Sequence, residues 1–168
     1  MSKIDGAPVL LYSQHIIWLN INDEAWLEYV HNAFLRLKKE RYSPSDIVIL
    51  LPNHKYGQAC VAAFKEKDIE ANHVFEDNSE AKYHALKKAF WMGDSRLKIS
   101  TIHSFKGWEL LNIILYIPPT APESNKKLDA IIYTAITRTK ENLIVLNANP
   151  RYHEFGEKFP KKWHEQLS

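Results

Sequence analysis

The sequence predicts an α/β fold with a mainly parallel sheet, and three observations support that prediction. Short apolar runs that suit strands alternate with longer stretches whose apolar residues recur at helical spacing. One run, IVILLP at residues 47–52, is apolar throughout, which is typical of a strand buried inside a parallel sheet. Strands that alternate with helices at this rhythm indicate parallel strands joined by right-handed crossovers.

The first half of the chain is predicted to contain three strands and two helices. Asn22 or Asp23 caps the first helix, which has acidic residues in its first turn. The spacing of its apolar residues gives that helix one buried face, formed by Trp26, Val30, Ala33, Phe34 and Leu37. In chain order, the predicted strands are 15–21, 47–52 and 71–76, and the predicted helices are about 22–40 and 56–67.

The second half is predicted to continue the alternation. A helix at 79–92 ends at Gly93, and a loop rich in proline and lysine precedes the helix at about 128–139. The tail from Pro150 onward is aromatic and basic, and either forms a short terminal helix or begins a further part of a longer protein. The remaining predicted strands are 98–103, 112–118 and 142–148.

Composition predicts a single globular domain over residues 1–168. Hydrophobic residues make up 45% and charged residues 25%, which is typical of globular proteins. Because the net charge is only +2, any surface that binds nucleic acid must be a local basic patch. The single Cys60 excludes an internal disulfide and a cysteine zinc cluster, and it suits the reducing cytoplasm. No apolar run approaches the roughly 20 residues of a membrane span. We therefore expect a cytoplasmic domain without a membrane segment.

One strand end concentrates polar residues. Thr101, His103 and Ser104 follow a predicted strand and come just before Lys106 and Gly107. Ligands in open α/β sheets sit outside the carboxyl ends of strands, where free N–H groups of a helix start bind anions and glycine lets the backbone approach closely. An ordinary capping turn with a surface histidine and lysine is the alternative interpretation.

A second polar feature lies about 30 residues later. Thr137 and Arg138 occupy the last turn of a predicted helix that leads into a buried strand. An arginine at a helix end commonly does no more than compensate the helix dipole. The order of the two features, however, points to a known family.

Together, the two stretches resemble motifs V and VI of superfamily 1 helicases of the UvrD/Rep type. The family patterns are Thr-x-His-x-x-Lys-Gly-x-Glu and Tyr-x-(Ala/Gly)-x-Thr-Arg-(Ala/Thr), which read here as TIHSFKGWE at 101–109 and YTAITRT at 133–139. The first half is similar to the family's second RecA-like domain, with LLPNHKYGQA in the motif IV region. The resemblance covers roughly residues 14–149 and implies a RecA-like, P-loop NTPase-type three-layer sandwich.

The resemblance implies a role for each matching nucleotide-site residue. Arg138 would be the arginine finger that donates to the γ-phosphate of ATP, and Glu109 would hold the ribose. Gly107 would let the backbone come close to the nucleotide. Tyr133 and Thr137 would pack and orient the helix that presents Arg138.

It also implies a track for single-stranded DNA. Thr101 and His103 would touch the phosphate backbone, with Lys106 beside them. The family's functions, such as DNA repair, belong to the whole enzyme.

The sequence departs from the family in three places. The motif IV region lacks the family's arginine near the phosphates and has only Lys55 and Gln58, and lysine cannot form the bidentate arginine contact. Trp108 stands where an aliphatic residue is usual, and we expect it to pack on the sheet. Only about 40 residues separate motif IV from motif V, so the family's large helical insertion is absent.

The chain lacks the other half of an ATP site. Its glycines, at 6, 57, 93, 107 and 156, cannot form the phosphate-binding loop G-x-x-x-x-G-K-[ST]. Asp23 and Glu24 follow a strand as Walker B acids do, but an acidic helix N-terminus is the favoured interpretation. The eight histidines are scattered, so we expect no metal of its own.

These features predict the C-terminal motor domain of an ATP-dependent DNA helicase, present here as a fragment. An N-terminal RecA-like domain of the same polypeptide would hold Mg²⁺ and most of the ATP, and the fragment alone would be inactive. The alternative is a free-standing, non-catalytic module that binds nucleic acid or protein.

Overall fold

The computed structural model describes residues 15–73, 75, 94–103, 109–121 and 124–158. The strands are β1 (His15–Asn20), β2 (Ile47–Leu51), β3 (Ala71–His73), β4 (Leu97–Thr101), β5 (Leu110–Ile117) and β6 (Thr139–Asn147). The helices are α1 (Trp26–Lys39), α2 (His54–Lys65), α3 (Asn125–Arg138) and α4 (His153–Lys158). Short 3₁₀ turns are found at Asp23–Ala25, Pro44–Asp46 and Pro150–Tyr152.

The six strands form one sheet in the order β1-β6-β5-β2-β4-β3. Every neighbouring pair is parallel, so the predicted parallel sheet is confirmed. The interior strands β2 and β4 are buried at every position, as the continuous apolar run of β2 predicts.

Helices cover both faces of the sheet and create two separate cores. Side chains along each strand point alternately to the two faces, so Ile17 and Leu19 of β1 belong to one core and Trp18 to the other. The first core lies under α1 and α2, and Leu37 and Phe64 from these helices are almost completely buried in it. The second core lies under α3 and the carboxyl-terminal segment. The predicted three-layer sandwich is therefore confirmed.

Most predicted elements are present, with shifted ends. Asn22 caps the first helical segment, because its side chain accepts a hydrogen bond from the Glu24 N–H, but the chain first makes a 3₁₀ turn before α1 begins. The helix α3 begins at Asn125, three residues before the prediction, because the Ser124 side chain accepts from the N–H of Lys127. The helix predicted at 79–92 lies outside the described residues.

The strands β5 and β6 are longer at their beginnings than the sequence predicts. Leu110 pairs with Thr139, before the apolar runs that start at 112 and 142. The added residues are polar or partly exposed, so their strand conformation comes from pairing with each other and not from hydrophobic pattern.

The tail forms a 3₁₀ turn followed by the short helix α4, which packs beside β1. The Phe155 ring lies 5.2 Å from that of Trp18. Within the described part of the chain, no helix has the length and apolar composition needed to cross a membrane.

Candidate functional site

Parallel strands give the sheet two chemically distinct edges. All six strands begin on the same side of the sheet and end on the opposite side. We call the side with the amino ends of the strands the amino edge, and the side with their carboxyl ends the carboxyl edge. The strand β5 has eight residues. At about 3.3 Å per residue, the two edges are roughly 20–25 Å apart. A side chain at one edge therefore cannot share a small ligand with a side chain at the other.

The amino edge brings together two residues predicted to contact the nucleotide. Glu109 directly precedes β5, and Arg138 is the last residue of α3, directly before β6. Because Leu110 pairs with Thr139 across these adjacent strands, the two residues that precede the pair lie side by side. Glu109 is exposed and Arg138 is partly exposed. Gly107 lies outside the described residues.

A third charged residue, Lys140, completes this group. Its Nζ lies 2.8 Å from Oε2 of Glu109, and the two side chains are 54% and 60% exposed. The hydrogen bond from Lys140 and its positive charge lower the pKa of Glu109, and the nearby charge of Arg138 lowers it further. Lys140 was missed by the sequence interpretation, because the strand that carries it was predicted to start only at residue 142.

Helix α3 presents Arg138 through contacts other than those predicted. The face buried against the sheet carries Leu128, Ile131, Ile132 and Ala135. The Tyr133 side chain is 52% exposed, and Thr137 is also exposed. The prediction that these two residues pack the helix is wrong, because the 3.6-residue period turns them away from the buried face.

Thr139 holds the end of α3 instead. Its Oγ1 donates to the Ala135 carbonyl oxygen at 2.7 Å, and its backbone N–H donates to the same carbonyl. The side chain is buried. Arg138 is therefore anchored at the point where α3 becomes β6.

Two buried asparagine side chains form hydrogen bonds close to the amino edge. Asn142 Nδ2 donates to Asn112 Oδ1 at 2.7 Å, and Asn112 Nδ2 donates to the Asp46 carbonyl oxygen at 3.1 Å. Both asparagines are almost completely buried. Beside them, Tyr42 donates its hydroxyl to Glu141 Oε2 at 2.5 Å. Because buried polar groups are costly unless paired, these bonds set the register of β6, β5 and the turn before β2.

Two of the residues predicted to contact DNA, Thr101 and His103, lie at the opposite, carboxyl edge. Thr101 is the last residue of β4 and His103 follows two residues later. Thr101 is only 6% exposed, whereas His103 is exposed. The N–H of Ile102 donates to the Leu51 carbonyl oxygen at 3.0 Å, which extends the pairing of β4 with β2 to the residue just before His103. The structure thus places Thr101 and His103 together, with His103 the accessible one.

Residues 104–108 of this motif, which include Ser104, Lys106 and Trp108, lie outside the described residues.

The two polar candidates of the motif IV region also lie at the carboxyl edge. Lys55 and Gln58 belong to the first turns of α2, which begins where β2 ends. Asn53 caps this helix by accepting from the Tyr56 N–H at 3.2 Å. Since Arg138 is at the amino edge, neither Lys55 nor Gln58 can act beside it on one phosphate group.

The acidic pair after β1 belongs to a helical start, as the favoured interpretation predicted. Asp23 and Glu24 lie in the 3₁₀ turn that leads into α1. The Asp23 carboxylate also accepts a hydrogen bond from the buried Tyr116 hydroxyl. Over the described ranges, no group of three or more histidine, cysteine, aspartate or glutamate residues could hold a metal ion.

Comparison with solved structures identifies the fold. The chain resembles the C-terminal domain of a possible DNA helicase from Lactobacillus plantarum WCFS1, with a TM-score of 0.55 and 14% identity over 81% of this chain and 74% of that one. It also resembles Mss116p DEAD-box helicase domain 2 bound to an RNA duplex, with a TM-score of 0.55 and 18% identity over 86% of this chain and 60% of that one. The fold is RecA-like. No protein-family model and no curated protein sequence matches the chain.

Proposed function

We propose that this chain is the second motor domain of a UvrD-like, ATP-dependent DNA helicase. In this proposal, the domain closes on an N-terminal RecA-like domain of the same polypeptide that holds Mg²⁺ and the phosphate-binding loop. The observation that carries the proposal is the convergence of Glu109 and Arg138 at the amino edge. These residues are 29 positions apart in sequence, and both were assigned to one nucleotide from their motifs.

The chemistry of the two side chains suits a nucleoside triphosphate. Arg138 carries a planar guanidinium that can donate two parallel hydrogen bonds to phosphate oxygens. Glu109 is an acceptor that can receive hydrogen bonds from ribose hydroxyls. When bound, ATP supplies a phosphoanhydride bond whose cleavage drives the motor. Arg138 would stabilise the negative charge that develops on the phosphate during cleavage, and such fingers are worth about 10³–10⁵ in rate.

The carboxyl edge would carry the nucleic acid. His103 is exposed there, beside the end of β4, and we propose that it and Lys106 touch phosphates of single-stranded DNA while Thr101 shapes the strand end. Nucleotide and nucleic acid would then bind to opposite edges of one sheet. The cleft between the two motor domains would close at the amino edge. The carboxyl edge would move with it, because both edges belong to one sheet.

The decisive experiment compares ATP hydrolysis by this chain alone and by the helicase polypeptide that contains both motor domains. We expect no hydrolysis by the chain alone, because none of its residues can bind the β- and γ-phosphates as a phosphate loop does. In the two-domain polypeptide, Arg138→Ala should lower kcat by about 10³–10⁵-fold and change nucleotide affinity far less. Arg138→Lys should restore little, because the guanidinium fork is lost.

The matched control is Arg151→Ala, which removes an arginine that is paired with Asp129 away from the amino edge. It should leave kcat nearly unchanged. Steady hydrolysis by the chain alone, abolished by Arg138→Ala, would contradict the two-domain proposal. A large rise in KM with little change in kcat would make Arg138 a binding residue. DNA binding without any ATPase dependence on Arg138 would favour a non-catalytic binding module.

A further inference from the structure

At the amino edge, the two cations Lys140 and Arg138 both lie close to the carboxylate of Glu109. Glu109 is bound to Lys140 at 2.8 Å, while Arg138 is near enough to influence the same carboxylate. Among the residues that the structure describes, no ion pair of Arg138 is found. Of the two cations beside Glu109 in this part of the chain, Lys140 is therefore the one that binds the carboxylate, and Arg138 lies next to it.

An arginine beside a carboxylate ordinarily binds it. Arginine–carboxylate pairs are often bidentate, with two parallel N–H···O bonds, and they are stronger than a single lysine contact. If Glu109 turned to Arg138, its oxygens would occupy the donors that a phosphate needs, and its negative charge would repel that phosphate. In the structure, Lys140 is the group that binds the Glu109 carboxylate.

We propose that Lys140 is a positioning residue that holds Glu109 away from Arg138 and so keeps the Arg138 guanidinium free for phosphate. This inference rests on the proposed function, in which Arg138 binds phosphate. Lys140 acts through Glu109, and because both side chains are more than half exposed, the pair opens at little cost when a ligand draws Glu109 aside.

The first test needs no ligand. In the 168-residue chain, the Nε–H signal of Arg138 is followed by NMR in the wild type and in Lys140→Met. We expect the variant to show a shifted signal and slower exchange of this proton with water, because Glu109 pairs with Arg138. The double variant Lys140→Met/Glu109→Gln should return the signal to the wild-type position. An unchanged Arg138 signal in Lys140→Met would overturn the proposal.

The second test measures binding of inorganic tripolyphosphate, which has no ribose for Glu109 to hold. At low salt, Lys140→Met should weaken binding roughly three- to fivefold, the scale of an exposed ion pair. Lys140→Arg should bind like the wild type. Adding Glu109→Gln to Lys140→Met should restore most of the affinity, because no carboxylate then competes for Arg138.

The matched control is Lys126→Met, which removes one exposed lysine from the first turn of the same helix that ends at Arg138. It should change affinity less than Lys140→Met. An equal loss in both variants, or a failure of Glu109→Gln to rescue, would show that Lys140 contributes only net charge and would overturn the proposal. If Arg138→Ala leaves tripolyphosphate binding unchanged, the phosphate role of Arg138 fails, while the NMR test still decides the pairing of Glu109.

Discussion

Both edges of the sheet contain bonded amides, but the charged group that carries the proposed nucleotide site lies at the amino edge. At the amino edge, Glu109, Lys140 and Arg138 are charged and reach solvent. At the carboxyl edge, amides are bound to one another: Asn20 Nδ2 donates to the His153 carbonyl oxygen at 2.8 Å, and Asn147 Nδ2 donates to Asn20 Oδ1 at 3.0 Å.

An aromatic group lies near the same edge, in the core beneath α1 and α2. The Trp26 ring stacks on Tyr116 with ring centres 5.1 Å apart, and Tyr56 meets Trp26 edge-on at 5.2 Å. The Tyr116 hydroxyl also donates a hydrogen bond to Asp23, which links the end of β5 to the 3₁₀ turn before α1.

The difference indicates which edge can respond to a ligand. Exposed ion pairs exchange partners at small cost, because water already solvates both charges. Satisfied amides and packed rings resist rearrangement, since each would lose its partner. The amino edge therefore suits a reaction in which charge changes, and the carboxyl edge suits a fixed support for His103. Three variants test this contrast.

The largest effect is expected from Gly156→Ala at the carboxyl edge. A Cβ at this position would lie 2.6 Å from Asn20 Oδ1, closer than van der Waals contact permits. The Asn20 amide would have to leave its bonds to Asn147 and His153. We expect the free energy of unfolding in urea to fall by about 1–3 kcal/mol, the usual cost of overpacking.

A double-mutant cycle with Asn20→Ala isolates this contact. Gly156→Ala should cost less when Asn20 is already alanine, because the clash is gone. Equal costs in both backgrounds would show that the close approach of α4 to β1 does not limit residue 156.

A smaller effect is expected from Asp94→Asn, just before β4. Arg96 binds the Asp94 carboxylate at 2.5 Å, and this pair lowers the Asp94 pKa from 3.8 to about 2. A depressed pKa stabilises the folded state above pH 4, and the contribution disappears as the pH falls from about 4 to 2. Asp94→Asn should therefore lower the free energy of unfolding by up to about 1 kcal/mol at pH 7.

The pH dependence separates this effect from a loss of packing. Near pH 2, the deficit of Asp94→Asn in urea should shrink to a small fraction of its value at pH 7, because the Asp94 carboxylate is then partly protonated in the folded state as well. Glu66→Gln, which neutralises an exposed carboxylate at the end of α2, is the control. A deficit of equal size at pH 7 and pH 2 would contradict the electrostatic explanation.

The smallest effect is expected from His103→Ala in binding of single-stranded DNA. If His103 makes one phosphate contact, its loss should weaken binding and flatten the slope of log K against log salt by roughly 0.7. Titrations at two salt concentrations measure the slope, and a thermal melt checks the fold. Reduced stability with unchanged binding per folded molecule would mean that His103 only supports its own turn. The same titrations on single-stranded RNA compare the two nucleic acids.

The local pattern of the sequence determined the elements of this protein and the order of its layers. Continuous apolar runs predicted β2 and β5, because a strand that is buried on both faces needs apolar residues at successive positions. Helical spacing predicted the buried face of α1, because a helix that is buried on one side needs apolar residues every three or four positions. Asn22 was recognisable as a cap from its residue type. The order of two short motifs was enough to single out Glu109, Arg138 and His103.

Tertiary structure alone decided how those residues are grouped. The pairing of Leu110 with Thr139 places Glu109 beside Arg138 and Lys140, and no local pattern encodes the register between strands that are 29 residues apart. The same register separates these charges from His103 and Lys55 by the length of a strand. The exposure of Tyr133 depended on the rotation of α3 against the sheet, which is set by packing of Ile131, Ile132 and Ala135 and not by the motif that contains it.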